Sequence, residues 1–295
     1  RGGLYLDSKP GVYSDVIELD FASLFPSIIA TRNISPETLN CACCQTTTEF
    51  PTTGMFVPLN PDEAEKAFRE RARGGLFSSK IFPSANASAL QVPGLKTHTC
   101  ARTHGFLGRV VAPIIERRMQ LKSQRKRKGD TFDLQQNALK WLLVTCFGYT
   151  GYKNARFGRI EAHEAICAWA REILLTTISI AEDDGWNVLH AIVDCIWIEN
   201  KNLKTREEKI ASAMQLSQKV TDLIGIPLEF EDIYDFIGFL PSRMHDAGSL
   251  TKYWAHGQNG FKLRGIEARQ HSTCEWIVAI QKESLEILKD NLNGE

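Results

Sequence analysis

Apolar residues recur along this chain in two rhythms. Short apolar runs predict strands at Val16–Phe21, across Trp186–Ile198, near 226–240 and at 261–264. The Trp186–Ile198 run reads as a hairpin with its tip near Ile192–Cys195. Spacings of three and four residues predict helices. Leu107, Val110, Val111, Ile114, Ile115 and Leu121 fall largely on one face of a helix over 106–128. Gly129-Asp130 ends it, and Leu134, Ala138, Leu139, Leu142 and Leu143 mark a second helix starting near Asp133. Together they make an antiparallel hairpin with a basic tip, from Lys122 through Arg125 to Lys128. Further helices are expected over 160–184, 204–223 and 272–291, near 61–73, and after Phe25, where Pro26 suits an early helical position. Residues 41–105 read as largely irregular and Gly148–Tyr152 as a turn.

Composition narrows the picture only modestly. The 295 residues allow two or three modules with real cores, and 43% hydrophobic with 24% charged residues is an ordinary globular balance. Lys plus Arg and Asp plus Glu both number 35, so any affinity for nucleic acid has to come from local clusters of charge. The eight cysteines are not spread like a disulfide framework, which points to a reduced, intracellular setting. No apolar run is long enough to span a membrane. A chain starting at Arg1 reads as a fragment or a processed product.

Two acids stand alone in apolar runs: Asp20 in Ile-Glu-Leu-Asp-Phe and Asp194 in Ala-Ile-Val-Asp-Cys. A lone charge in such a setting is costly unless it is paired or metal-bound. Two strand-end aspartates brought together can hold a pair of divalent cations; each can also simply cap a turn. A second candidate is Cys41-Ala42-Cys43-Cys44, with C-x-x-C spacing, followed by His98, Cys100 and His104. Cys41, Cys44, Cys100 and His98 could ligate a structural Zn²⁺, while buried free cysteines are the plainer reading.

The residues around the acids carry a resemblance. Asp20-Phe21-Ala22-Ser23-Leu24-Phe25-Pro26-Ser27-Ile28-Ile29 resembles motif A of family B DNA polymerases, D-x-x-S-L-Y-P-S-I-I, and Asn33–Leu39 matches the family downstream. Lys140-x-x-x-Val144-x-x-Phe147-Gly148-Tyr149 resembles motif B, K-x-x-x-N-x-x-Y-G-Y, followed by Gly151–Phe157. His190–Cys195 falls where the family has motif C, Y-G-D-T-D-S. Lys252-Tyr253 and Gly265–Arg269 resemble the K-x-Y region and the entry to the thumb.

The resemblance implies an α+β fold: a palm with an antiparallel sheet, helical-hairpin fingers and the start of a thumb, with no exonuclease domain in this chain. It divides the sequence into 1–105 (palm, with a Cys-containing insertion), 106–147 (fingers), 148–264 (palm) and 265–295 (thumb). It implies template-directed transfer of deoxynucleotides to a primer 3′-hydroxyl. Asp20 and Asp194, with the backbone carbonyl of Phe21, would bind two Mg²⁺ or Mn²⁺ ions, with Glu231 a possible support. Ser23, Leu24, Phe25, Arg118, Lys122, Lys140 and Phe147 would meet the deoxynucleoside triphosphate, the Phe25 ring excluding a ribose 2′-hydroxyl. Gly148, Tyr149, Gly151, Tyr152, Lys252, Tyr253 and Arg269 would meet primer–template DNA. The exonuclease, N-terminal or thumb parts would lie on a separate chain or have been trimmed from this one.

The departures are specific. Ile192 and Val193 replace an Asp and a Thr of motif C, Val144 replaces the Asn of motif B, and Phe25 and Phe147 stand where the family has Tyr. This pattern resembles that of divergent archaeal B-family paralogues with disrupted motifs. The alternative reading is therefore a catalytically decayed polymerase acting as a DNA-binding or assembly subunit.

Overall fold

The computed structural model describes residues 2–44, 90–128, 130–242 and 247–292. Its elements are β1 (Tyr5–Leu6), β2 (Gly11–Phe21), α1 (Leu24–Thr31), β3 (Leu90–Gln91), β4 (His98–Thr99), α2 (Phe106–Lys128), α3 (Asp130–Thr150), α4 (Ile160–Asp183), β5 (Asn187–Ile192), β6 (Cys195–Glu199), α5 (Arg206–Ile224), β7 (Leu228–Pro241), β8 (Gly248–Gly257), β9 (Gly260–Arg264) and α6 (Glu275–Leu292). They fall into two compact units. The first comprises 1–3, 21–176 and 218–228; the second comprises 4–20, 177–217 and 229–295.

A seven-stranded sheet ordered β1-β5-β6-β2-β7-β8-β9 dominates the second unit. The pairs β1–β5, β5–β6, β2–β6, β7–β8 and β8–β9 are antiparallel. Strand β2 alternates as a two-residue period demands. Val16, Glu18 and Asp20 share one face and Ile17, Leu19 and Phe21 the other, and both faces of its central part are buried. Val16 joins Trp197, Tyr234, Ile237, Phe239, Tyr253 and Ala255 in a core cluster, against which Leu189, Ile192 and Cys195 pack half-buried. Arg206 and Lys209 of α5 bind the carboxylate of Asp15 at 2.8 and 3.0 Å. Burial pushes the Asp15 carboxyl upward, but these cations outweigh it and hold it below the usual range.

In the first unit α2 and α3 pack together as a helical hairpin, and α1 packs against both. The start of α2 is fixed by the segment after α1. The Glu37 carboxylate accepts the Phe106 N–H at 2.6 Å, and Ser35 Oγ accepts the Leu107 N–H at 3.4 Å. These bonds occupy donors that a helix N-terminus leaves open. Gly105 is required there because a Cβ would lie 2.5 Å from that of Ser35.

The structure corrects several boundaries. Helix α3 begins at Asp130 rather than near Asp133 and continues through Gly148 and Tyr149, which were expected in a turn. Thr150 Oγ1 donates to the Phe147 carbonyl at 2.6 Å and closes that last turn. Strands β1 and β8 were not anticipated, and β2 starts five residues earlier than its apolar run. The helix expected near 61–73 and the side chains of the basic hairpin tip beyond Ser123 lie outside the described residues.

Candidate active site

Asp20 and Asp194 come together because of strand register. Asp20 on β2 is the cross-strand partner of Cys195, the first residue of β6, and Asp194 immediately precedes it in the β5–β6 turn. A carboxylate oxygen of Asp20, one of Asp194 and Sγ of Cys195 all lie within 4.8 Å of one another, and all three residues are half-buried. The turn has only two residues, Val193 and Asp194, between the paired Ile192 and Cys195. Such turns call for positive φ, and Val193 adopts φ 54°. For a β-branched residue this is a strained conformation. It is held by the Val193 N–H donating to the Leu4 carbonyl at 2.9 Å.

Two carboxylates suit a hard divalent cation that keeps water or phosphate oxygens as further ligands. Cys195 does not add to that set. Burial first, then the carboxylates of Glu18, Asp194 and Asp20, push its thiol far up and keep it protonated. Ile192, where motif C has its first aspartate, ends β5 with its side chain against the core cluster.

Beside the pair lies a network that sequence reasoning missed. Glu18, two residues before Asp20 on the same strand face, is 4% exposed. It accepts a bond from the Tyr234 hydroxyl and pairs with Lys262 Nζ at 2.6 and 2.7 Å. Burial, then Glu18, raise the Tyr234 hydroxyl above its ordinary range. The signal in the sequence was a second acid in the apolar run, Glu18, without a partner in its own segment.

In the first unit Ser23 sits in the left-handed region ahead of α1, with φ 53°, and its Oγ accepts a bond from Arg118 Nη1 at 2.5 Å. Arg118 and Lys122 are one turn apart on α2; Lys122 on α2 and Lys140 on α3 are exposed. Phe25 stacks on Phe147, with ring centroids 4.2 Å apart, and Phe147 stacks in turn on His163 at 4.6 Å. A Cβ on Gly148 would meet nothing within 4 Å, so the surface there is open. Val144, Tyr149 and Tyr152 are exposed beside it. Leu24 and Phe21 are buried, leaving only their backbones for any ligand. Gly151 is explained by packing, since a Cβ would lie 3.0 Å from the His163 ring.

Two expectations need correction. Tyr253 is 3% exposed, and its ring packs on Trp197 and Phe239 in the core rather than facing a ligand. Among the cysteines, Cys41, Cys44 and Cys100 gather with Cys43 as the fourth sulfur, and His98, whose Nε2 lies 3.6 Å from Cys41 Sγ, stands beside that group rather than within it. His98 Nε2 lies 3.3 Å from the Cys41 carbonyl oxygen, which can only accept a hydrogen bond. Lys252 is half-buried, and Arg269 and Glu231 are exposed. Arg269 and Glu231 line a groove of about 650 Å³ with Lys262, Arg264 and Lys282.

Comparisons with known proteins agree on one family. The model of DNA polymerase family B matches residues 1–293. DNA polymerase 2 of Saccharolobus solfataricus is 30% identical over 266 residues, covering 90% of this chain and 32% of that protein. A DNA polymerase of Archaeoglobus fulgidus is 26% identical over 301 residues, covering all of this chain and 31% of its own length. The structure of the family B DNA polymerase from Pyrobaculum calidifontis matches 98% of this chain and 34% of its own, with a TM-score of 0.59 at 22% identity, a likeness of fold. The chain thus spans about a third of the length of the relatives it matches. With the family model matching nearly its whole length, the chain belongs to the family B DNA polymerases.

Proposed function

We propose that this chain is a polymerase core that adds deoxynucleotides to a primer 3′-hydroxyl under the direction of a DNA template. The observation that carries the reading is the meeting of Asp20 and Asp194, their ligand atoms within 4.8 Å, in a chain matched by the family along 1–293. The two aspartates would hold Mg²⁺ or Mn²⁺, which when bound supplies Lewis acidity toward the primer hydroxyl and the triphosphate. Arg118, oriented by Ser23, would bind triphosphate oxygens together with Lys122 and Lys140, concentrating positive charge where phosphoryl transfer develops negative charge. The Phe25 ring, braced by Phe147, would exclude a 2′-hydroxyl. The open surface at Gly148, with Tyr149 and Tyr152, would receive the DNA, and Lys252 and Arg269 its phosphates. In this reading 106–147 are the fingers, 1–105 and 148–264 the palm, and 265–295 the start of a thumb. Further parts of the polymerase come from elsewhere in a longer protein or from a partner chain.

The second reading, a decayed polymerase that binds DNA without extending it, is favoured by one feature. An apolar Ile192 stands beside the pair at the position where a third carboxylate would strengthen cation binding. Primer extension separates the two. The active reading expects extension by wild type with Mg²⁺ or Mn²⁺ and its loss in Asp194→Asn and Asp20→Asn, with DNA binding retained. Wild type that binds primer–template yet extends nothing in either metal establishes the second reading.

A further inference from the structure

We propose that Cys41, Cys43, Cys44 and Cys100 form a structural zinc site of four thiolates, independent of the aspartate pair. The geometry is that of a single tetrahedral ion. Zinc–thiolate bonds of about 2.3 Å put the corners of a tetrahedron about 3.8 Å apart. The sulfur of Cys43 lies 3.5 Å from that of Cys41, 3.8 Å from that of Cys44 and 3.5 Å from that of Cys100, and Cys44 and Cys100 are 3.9 Å apart. All four sulfurs lie within 4.8 Å of one another. A disulfide requires about 2.05 Å between sulfurs, and none of these contacts approaches it. A four-iron cluster attaches each thiolate to a different iron and would spread the sulfurs well beyond these separations.

The surroundings are built for thiolates. The backbone N–H groups of Arg102 and Thr103 donate to Cys100 Sγ at 3.4 and 3.3 Å. Bonds of this kind orient a metal-bound sulfur and offset its negative charge. The backbone also brings the two ligand segments together without the metal's help. The Cys100 N–H donates to the Thr38 carbonyl at 2.8 Å, and the Asn40 N–H to the His98 carbonyl at 2.9 Å. Asn33, just after α1, donates from Nδ2 to the carbonyls of Cys100 and Thr103, both at 2.8 Å. The ion would therefore lock residues 41–44 to residue 100 and, through Asn33, steady the approach to α2. A clip between positions so distant in sequence removes much freedom from the unfolded chain.

The test is metal analysis of the purified protein, supported by cobalt substitution. The proposal expects about one zinc per chain. It expects tetrahedral d–d and sulfur-to-cobalt charge-transfer bands after exchange, and release of the zinc when a mercurial titrates four thiols. Cys43→Ser and Cys100→Ser should each lose most of the zinc, whereas His98→Ala should keep it. Whether or not a Cys variant folds, the wild-type stoichiometry and cobalt spectrum stand as independent readouts. Metal-free wild type, iron with inorganic sulfide, or zinc that is lost in His98→Ala and kept in Cys43→Ser overturns the assignment.

Discussion

At Phe25 a single ring is asked to do two jobs. It is half-buried and stacked on Phe147, so its position is fixed by its neighbours. If it also excludes the ribose hydroxyl, Phe25→Ala should raise ribonucleotide incorporation at least about tenfold, the effect of about 1.4 kcal/mol of lost discrimination. Competition between ribo- and deoxynucleotides in primer extension measures it. An unchanged ratio in an active, folded variant would leave Phe25 as a packing residue only. His190 is a second residue whose environment makes a prediction. It is fully buried on β5, with Nδ1 2.6 Å from the Leu6 carbonyl and Nε2 3.1 Å from the Leu250 carbonyl. Burial lowers its pKa below the ordinary 6.5 against the pull of both carbonyls and of Asp7. The unfolded chain therefore takes up this proton more readily than the folded one. The stability His190 contributes is present above pH 6.5 and falls away as pH drops below it toward the folded pKa. Denaturant midpoints between pH 7 and 5 should decline accordingly, and an NMR titration should find the imidazole neutral below 6.5. A ring already charged at pH 7 would contradict this. The sugar-excluding role of Phe25 came with the motif resemblance, whereas the burial of His190 was not legible in the sequence, where it stood only as a motif position.

Among the elements, the helices of the 106–150 hairpin were readable because their apolar faces repeat at the helical period. Strand β8 was not, since Tyr253, Trp254 and Ala255 are buried in succession and give no alternation. Gly148 misled because a glycine reads as a breaker, yet α3 runs through it. The β5–β6 hairpin was legible, and so was the meeting of its turn with the end of β2. The role of Ile192 was not: the structure packs it half-buried against the core cluster. Replacing it with aspartate would place a third carboxylate near two others in a poorly solvated setting. Ile192→Asp should therefore destabilise the metal-free protein by about 1–3 kcal/mol. If the pair binds Mg²⁺, the added ligand should make the melting temperature of the variant rise more steeply with Mg²⁺ than that of wild type, because ligand binding to the folded state alone is stabilising. Calorimetry across a Mg²⁺ series reads both effects. A variant whose melting ignores Mg²⁺ would remove cation binding from this turn.

For the whole chain, equal numbers of acidic and basic residues decide how DNA binding should behave. A neutral molecule has little net charge with which to attract a polyanion at long range, so affinity has to come from individual contacts with phosphates. The sequence showed that such contacts had to be local, but could not show which charges are committed elsewhere. Lys262 is engaged with Glu18, and Arg206 and Lys209 with Asp15. Lys252 and Arg269 remain the candidates in the second unit that the family motifs mark. Each phosphate contact contributes about −0.9 to the slope of log affinity against log salt on duplex DNA. Lys252→Ala and Arg269→Ala should each flatten that slope by about one and weaken binding to unrelated sequences equally, because phosphate contacts carry no base information. Fluorescence anisotropy with a primer–template duplex over a salt series provides the measurement, and it works whether or not the chain extends primers. A slope unchanged in both variants would move the DNA interface away from these residues. A loss confined to one sequence would mean that they read bases rather than phosphates.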